Sequence, residues 1–196
     1  MDFILASKNS HKLGEMSAIL GQYGVRLRLQ SELDLDLDVE ETGATFEENA
    51  MLKATAVMRA SGLPAIADDS GLEVDALGGA PGIYSARYGG DACKNDRQRY
   101  ELLLDNLKGI PMAERTARFV CVIAAIWPDG RRICVRGTCE GLILERPGRD
   151  NGFGYDPVFY VPEEGMTFSE MPQARKNEIS HRANALRLFQ TKLTEG

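Results

Sequence analysis

Adjacent carboxylates at Asp68 and Asp69 are the residues best suited to chemistry in this chain. They stand where a short apolar run, Pro64-Ala65-Ile66-Ala67, meets Ser70-Gly71. The run reads as a buried strand that ends at Ala67 and turns at Ser70-Gly71, which places both acids at the carboxyl end of a strand. A carboxylate there is held on a rigid element and opens into a crevice, suited to binding a divalent cation or to general-base work. Asp-Asp-Ser-Gly is equally ordinary turn chemistry. The following segment favours a ligand, because Gly78, Gly79, Gly82, Gly89 and Gly90 interleave with Tyr84, Arg87 and Tyr88 more densely than a plain connection needs. Glycine permits close approach of backbone to a bound group.

A second chemical cluster follows the apolar run Phe3-Ile4-Leu5-Ala6, which reads as a first buried strand. Ser7, Lys8, Asn9, Ser10, His11 and Lys12 form a polar turn, and Leu13, Met16, Ile19, Leu20 and Tyr23 then recur at helical spacing. Exposed N–H groups at a helix start favour a phosphate, and Lys12 adds a full charge. The alternative is that Asn9 or Ser10 only caps the helix and Lys12 is solvated. The turn is not a P-loop, since G-x-x-x-x-G-K-[ST] is absent.

The elements that must position these residues alternate between strand and helix patterns. Residues 25–29 read as a strand. Leu33 to Glu41 alternates apolar with acidic residues, as an exposed edge strand or an extended loop would, and ends on Glu40 and Glu41. Thr45 with Glu48 makes a capping box for a helix running to about Ser61 and stopping at Gly62. Phe46, Asn49, Ala50, Lys53, Ala54 and Val57 share one face of it, so Lys53 either snorkels at the rim of a core or reaches the crevice of Asp68. Asn95 or Asp96 opens a helix with Tyr100, Leu103, Leu104 and Leu107 inward. Residues 115–127 and 132–144 are strand-like and joined by Pro128-Asp129-Gly130, a hairpin signal, so the sheet must be mixed. Phe153-Gly154-Tyr155-Asp156 precedes a short strand at 158–161, and its aromatics suit either core packing or stacking on a flat base. Ser180 reads as the N-cap of a last helix with Leu186, Phe189 and Leu193 inward, and Lys176, His181 and Arg182 cluster near its start.

Composition narrows the class. A chain of 196 residues that is 43% hydrophobic and 27% charged can bury a core as one domain, and no linker or repeat divides it. No apolar run approaches the roughly 18 residues of a membrane span, and the N-terminus does not read as a signal peptide, so a cytoplasmic location is expected. Cys93, Cys121, Cys134 and Cys139 lack C-x-x-C spacing and are expected as free thiols. A net charge of −6 argues against nucleic acid polymers as partners but not against a nucleotide.

Five ordered blocks give the chain a resemblance to the inosine triphosphate pyrophosphatase family, the XTP/dITP diphosphatases, over nearly its whole length. They are S-x-N-x-x-K at Ser7, Asn9 and Lys12; E-T-G-x-T-F-x-E-N-A-x-x-K-A from Glu41 to Ala54; A-D-D-S-G-L at Ala67 to Leu72 with G-G-A-P-G-I-Y-S-A-R-Y after it; G-F-G-Y-D-P at Gly152 to Pro157; and K-x-x-x-S-H-R from Lys176 to Arg182. The resemblance implies an elongated, two-lobed α/β fold on a long mixed sheet with flanking helices and a cleft between lobes, in a single domain over residues 1–196. It also implies a homodimer and Mg²⁺-dependent cleavage of ITP, dITP or XTP to the monophosphate and pyrophosphate, cleansing the nucleotide pool. Asp69 would be the general base; Glu41, Asp69, Asp68 and Glu40 would hold the metal. Ser7, Lys8, Asn9, Ser10, His11, Lys12, Lys53 and Ser70 would line the phosphates. Phe153, Gly154, Tyr155, Asp156, Lys176, His181 and Arg182 would hold the base. Cationic donors suit the 6-keto oxygen of hypoxanthine or xanthine and mismatch the 6-amino group of adenine, and an unpaired buried donor costs about 1–3 kcal/mol. Alternatives are a pyrophosphatase for other modified nucleotides and a purine-nucleotide sensor without catalysis.

Overall fold

The computed structural model describes residues 1–149 and 152–195, with His11 described in its backbone only. The chain is α/β. Strand β1 (Asp2–Leu5) pairs in parallel with β2 (Arg26–Leu29), Phe3 opposite Leu27, and with β3 (Ala65–Val74), Ile4 opposite Ala65. The sheet continues through β5 (Thr116–Ile126), β6 (Arg132–Ile143), β7 (Phe159–Val161) and β8 (Met166–Thr167), and the short β4 (Pro81–Gly82) joins β3 at its side. Pairs β3–β4, β6–β7 and β7–β8 are antiparallel, so the sheet is mixed as the hairpin signal required. The helices are α1 (Ser10–Leu20), α2 (Phe46–Ser61), α3 (Asp96–Asn106), α4 (Gln173–Ile179) and α5 (His181–Glu195). Among the described residues no helix is long and apolar enough to cross a membrane.

Local chemistry explains most boundaries. Thr45 accepts from the Glu48 N–H at 3.1 Å, while Glu48 reaches back to the Ala44 N–H at 2.6 Å, closing the start of α2. Gly62 ends that helix with φ 68°, a left-handed conformation that costs glycine little. Asn95 caps α3 by accepting from the Gln98 N–H at 2.9 Å. Residues 34–44 pair with no strand among the described residues: of the two readings of the acidic alternation, the extended loop holds, with Leu35, Leu37 and Val39 half-buried and Asp34, Asp36, Asp38 and Glu40 exposed. Helix α4 lies where no helix was expected, and Ser180 both closes it and precedes α5.

One expectation is corrected. Strand β3 does not stop at Ala67; it runs through both acids and through Ser70-Gly71 to Val74. Beyond the Ser-Gly pair the strand is paired at Leu72 and Glu73 with Gly82 and Pro81 of β4, and it lies between β1 and β5 in the sheet, so tertiary pairing outweighs local turn preference.

The chain forms two compact units. The first holds residues 1–69, 121–137 and 181–196, the second 70–120 and 138–180. The first unit's main core packs Met16 and Leu20 of α1 and Leu186 and Phe189 of α5 against Phe3, Leu5 and Ile66 of the sheet. Smaller clusters join Ala54 and Val57 of α2 to Ala65 and Ala67. The second unit's core sets Tyr100 and Leu103 of α3 with Leu72, Val74, Phe119, Phe159 and Phe168.

Candidate active site

Strand alternation decides the first unit's chemistry. Successive side chains of a strand leave opposite faces, so Asp68 shares the face of Ile66, packed with α1 and α5, and Asp69 shares the face of Ala65 and Ala67, packed with α2.

On the first face the Asp68 side chain, 1% exposed, makes an ion pair with Lys12 Nζ at 3.0 Å and accepts from Arg182 Nη2 at 3.1 Å. Arg182 donates through Nη1 to Glu15 as well. Burial alone would raise the Asp68 pKa, but Lys12, Arg182 and Lys53 outweigh it and hold the carboxyl far below the ordinary range. The Arg182 guanidinium is likewise held above its ordinary value, burial opposing and the Asp68 charge prevailing.

On the second face Lys53 Nζ donates to Asp69 Oδ1 at 2.8 Å and to Glu41 Oε1 at 2.7 Å. Asp69 Oδ2 is buried and has no hydrogen-bond partner among the described residues. Burial is the largest influence on Asp69 and raises its pKa; Lys53 opposes, Glu41 and Asp68 add to the rise, and the carboxyl stands above the ordinary range. Lys53 is lowered by burial but raised more by Asp69 and Asp68, so it stays cationic. The loop bearing Glu41 is fixed from α2: the Gly43 N–H donates to Asn49 Oδ1 at 2.8 Å. A Cβ on Gly43 would lie 2.7 Å from that oxygen, so the close approach requires glycine. Glu40 is exposed beside it.

The four expected metal acids are therefore not one cluster. Among the described residues no group of three or more Asp, Glu, His or Cys side chains is arranged to hold a metal ion. Glu41 and Asp69 share one ammonium, Asp68 departs to the other face, and Glu40 faces solvent.

The Ser7–Lys12 segment is organised by its own hydrogen bonds. Ser7 Oγ accepts from the Asn9 N–H at 3.1 Å and Asn9 Oδ1 from the Lys12 N–H at 3.3 Å, so Asn9 caps α1, whose first residue is Ser10. Lys12 points its ammonium to Asp68, whereas Lys8 makes a solvated pair with Asp36 at 2.7 Å. The His11 side chain lies outside the described residues. Ser70, half-buried, follows Asp69 in β3 and is the first residue of the second unit.

The residues expected at the base divide between the units. His181 and Arg182 open α5 in the first; a Cβ on Gly137 of β6 would meet the His181 carbonyl oxygen at 2.6 Å and Ala185 Cα at 2.7 Å, so strand and helix touch through backbone. Phe153, Gly154, Tyr155, Asp156 and Lys176 lie in the second unit. Lys176 Nζ donates to Asp156 Oδ2 at 2.6 Å, and the Phe153 N–H donates to the same oxygen at 3.1 Å. Tyr155 is buried, its hydroxyl donating to the Ser85 carbonyl at 2.8 Å, and burial raises its pKa. Phe153 is 56% exposed. Of the two aromatics, Tyr155 packs in the core and Phe153 stands outside it.

Glu15 and the Asn49 contact to Gly43 were not anticipated. A signal existed for Glu15, which lies three residues beyond Lys12 and so on the same face of α1; its partner, 167 residues away, was not legible.

With this geometry in view, known proteins give a consistent comparison. A dITP/XTP pyrophosphatase of Geobacillus kaustophilus is 49% identical over 194 residues, covering 99% of this chain and 93% of that protein. A dITP/XTP pyrophosphatase of Thermus thermophilus is 51% identical over 187 residues, 95% of this chain and 89% of the relative. The solved structure of a HAM1 protein from Coxiella burnetii superposes with a TM-score of 0.91 at 42% identity, covering 100% of both chains. A match to the Ham1 family spans residues 3–192, and the chain belongs to that family.

Proposed function

We propose that the protein hydrolyses the deaminated purine nucleoside triphosphates ITP, dITP and XTP, between the α and β phosphates, to the monophosphate and pyrophosphate. The observation that carries this reading is Asp69. One of its oxygens is fixed by Lys53 and the other is buried with no protein partner, on a carboxyl whose pKa stands above the ordinary range. Such a carboxylate is placed to orient a water and take its proton. The dITP/XTP pyrophosphatases that share about half of this sequence support the substrate class.

The donor set fits Mg²⁺. This ion is commonly held by one or two carboxylates together with substrate phosphates and water, and Glu41 with Asp69 is such a pair, already gathered around one positive charge. The unclaimed Asp69 Oδ2 adds a hard donor, and Asp68 and Glu40 stand as outer acids. Bound there, Mg²⁺ would offset negative charge developing on the phosphates. In the first unit Lys12, Lys53 and the Ser7, Asn9 and Ser10 turn hold phosphate oxygens by charge and by helix N–H groups, with Ser70 following in β3. In the second unit Phe153 offers a stacking face, while Gly154, Asp156 and Lys176 fix its turn. His181 supplies a donor for a 6-keto oxygen, and Arg182, whose Nη1 and Nη2 already bond Glu15 and Asp68, supplies its remaining N–H groups.

The reading extends to a cytoplasmic homodimer. The homodimer is supported by the exposed Tyr84, over whose ring the Arg87 guanidinium stacks at 5.0 Å in a segment with Ile83, and light scattering measures it. The function is tested by pyrophosphate release from ITP, XTP, dITP, ATP, GTP and dUTP, with Mg²⁺ or chelator, at slightly alkaline pH. Metal-dependent release from the first three alone is expected. Orthophosphate in place of pyrophosphate, or equal rates on all bases, would refute it.

A further inference from the structure

We propose that Asp96 is the positioning residue that fixes the Phe153–Asp156 turn and thereby tunes selectivity for the base; the selectivity half rests on the function proposed above. Asp96 is the first residue of α3, 58 positions from Gly154 in sequence, and its Oδ2 accepts from the Gly154 N–H at 2.9 Å. Its other oxygen is held by Arg99 Nη1 at 2.9 Å, so the carboxylate is braced on both sides.

Backbone bonds close the far end of the turn, the Asp156 N–H donating to the Phe153 carbonyl at 3.2 Å and the Ser169 N–H to the Asp156 carbonyl at 3.3 Å, while the Gly154 N–H is turned to Asp96. Gly152 and Gly154 have φ of 120° and 63°, so Phe153 sits between two residues in conformations that favour glycine. Phe153 is 56% exposed and, among the described residues, belongs to no buried core cluster. The position of the ring is inherited from the backbone, and two carboxylates grip that backbone at consecutive amides: Asp156 at Phe153 and Asp96 at Gly154. A carboxylate accepting from a backbone N–H is among the stronger hydrogen bonds a protein makes. Asp156 is itself tied by Lys176, and Tyr155 is tied by Ser85, so Asp96 is the tether that α3 contributes to this turn. Asp96 touches no base. It acts through where it puts Phe153, and small misplacements at a binding face change rates many-fold.

Two variants separate the tether from the charge. Asp96→Asn keeps an oxygen for the Gly154 N–H; Asp96→Ala removes it; both remove the acidic charge from the first turn of α3. The Asp96 side chain is 43% exposed, so both variants should fold. In Asp96→Ala the Gly154 amide should exchange its hydrogen about 10-fold faster or more. The ITP-to-ATP ratio of kcat/KM should fall by about 10-fold, mainly through KM for ITP. Asp96→Asn should stay within about 3-fold of wild type on both readouts. Unchanged Gly154 exchange in Asp96→Ala overturns the inference whatever the activity, as does an Asn variant that behaves like the Ala variant. Faster exchange with an unchanged ratio overturns the selectivity half. A wild-type protein that hydrolyses ITP and ATP alike refutes the functional reading and the selectivity half with it, while exchange still decides whether Asp96 holds the turn.

Discussion

Replacing Asp68 by Asn should remove a charge on which two half-buried cations depend, and the cost can be worked from the geometry. The Asp68 carboxylate is almost wholly buried, pairs with Lys12 at 3.0 Å and accepts from Arg182 at 3.1 Å. Breaking a buried ion pair by removing one partner costs about 3–5 kcal/mol. Arg182 retains Glu15, and the Lys12 side chain is 22% exposed, so the lower end of that range applies, ~3 kcal/mol near neutral pH. The pH dependence identifies the cause. Asp68 has a folded pKa depressed below its unfolded value of about 3.9. Its contribution is therefore complete above that pH and is lost as pH falls toward the folded pKa. Below about pH 4 the unfolded chain binds one more proton at this residue than the folded one, which costs wild type ~1.4 kcal/mol per pH unit. Urea unfolding in chelator at several values between pH 3 and pH 6 measures both effects. The gap between wild type and Asp68→Asn should be constant above pH 5 and narrow by roughly 1 kcal/mol at pH 3. Parallel curves through that window, or a gap under about 1 kcal/mol at neutral pH, would refute the assignment of Asp68 as the anion that holds Lys12 and Arg182.

Other outcomes follow from the same geometry. Asp69→Asn should abolish turnover, by at least about 100-fold, while urea stability and nucleotide binding by calorimetry change little; near-normal turnover removes Asp69 as the base. Lys53→Met should raise the Asp69 pKa further, because Lys53 is the charge that pulls it down, so the acid limb of the kcat/KM profile should move to higher pH; a limb that stays put or moves down contradicts the pairing. Gly137→Ala should destabilise the fold by about 2–3 kcal/mol in urea, since the new methyl meets the α5 backbone at His181 and Ala185 and neither backbone can give way cheaply. A thiol reagent should modify Cys134 in the native protein and the remaining cysteines only after unfolding, because Cys93, Cys121 and Cys139 are buried and the Cys139 thiol is pushed up to about 12 by burial and nearby acids.

What the sequence by itself determined is local or periodic. Thr45, Glu48 and Gly62 bound α2 because caps are satisfied within one turn. Pro128-Asp129-Gly130 requires a hairpin and hence a mixed sheet. The Phe46–Val57 stripe places Lys53 and Asn49 on the inner face of α2 because 3.6-residue spacing is fixed by the helix. The five ordered blocks named a family, and the family match covers residues 3–192.

Only the tertiary structure decided what those residues face. Asp-Asp-Ser-Gly reads locally as a turn, yet β3 runs through it within the sheet and on to its pairing with β4 at Leu72 and Glu73, and the strand's alternation then separates Asp68 from Asp69. Arg182 reads as a donor for a ligand, and its two terminal nitrogens also bond Asp68, 114 residues earlier, and Glu15. Asp96 reads as a helix start, yet it holds an amide 58 residues away. Each of these pairings depends on which elements lie side by side. Composition and periodicity carry no record of that, because a charged side chain chooses its partner by distance in space and not by spacing along the chain.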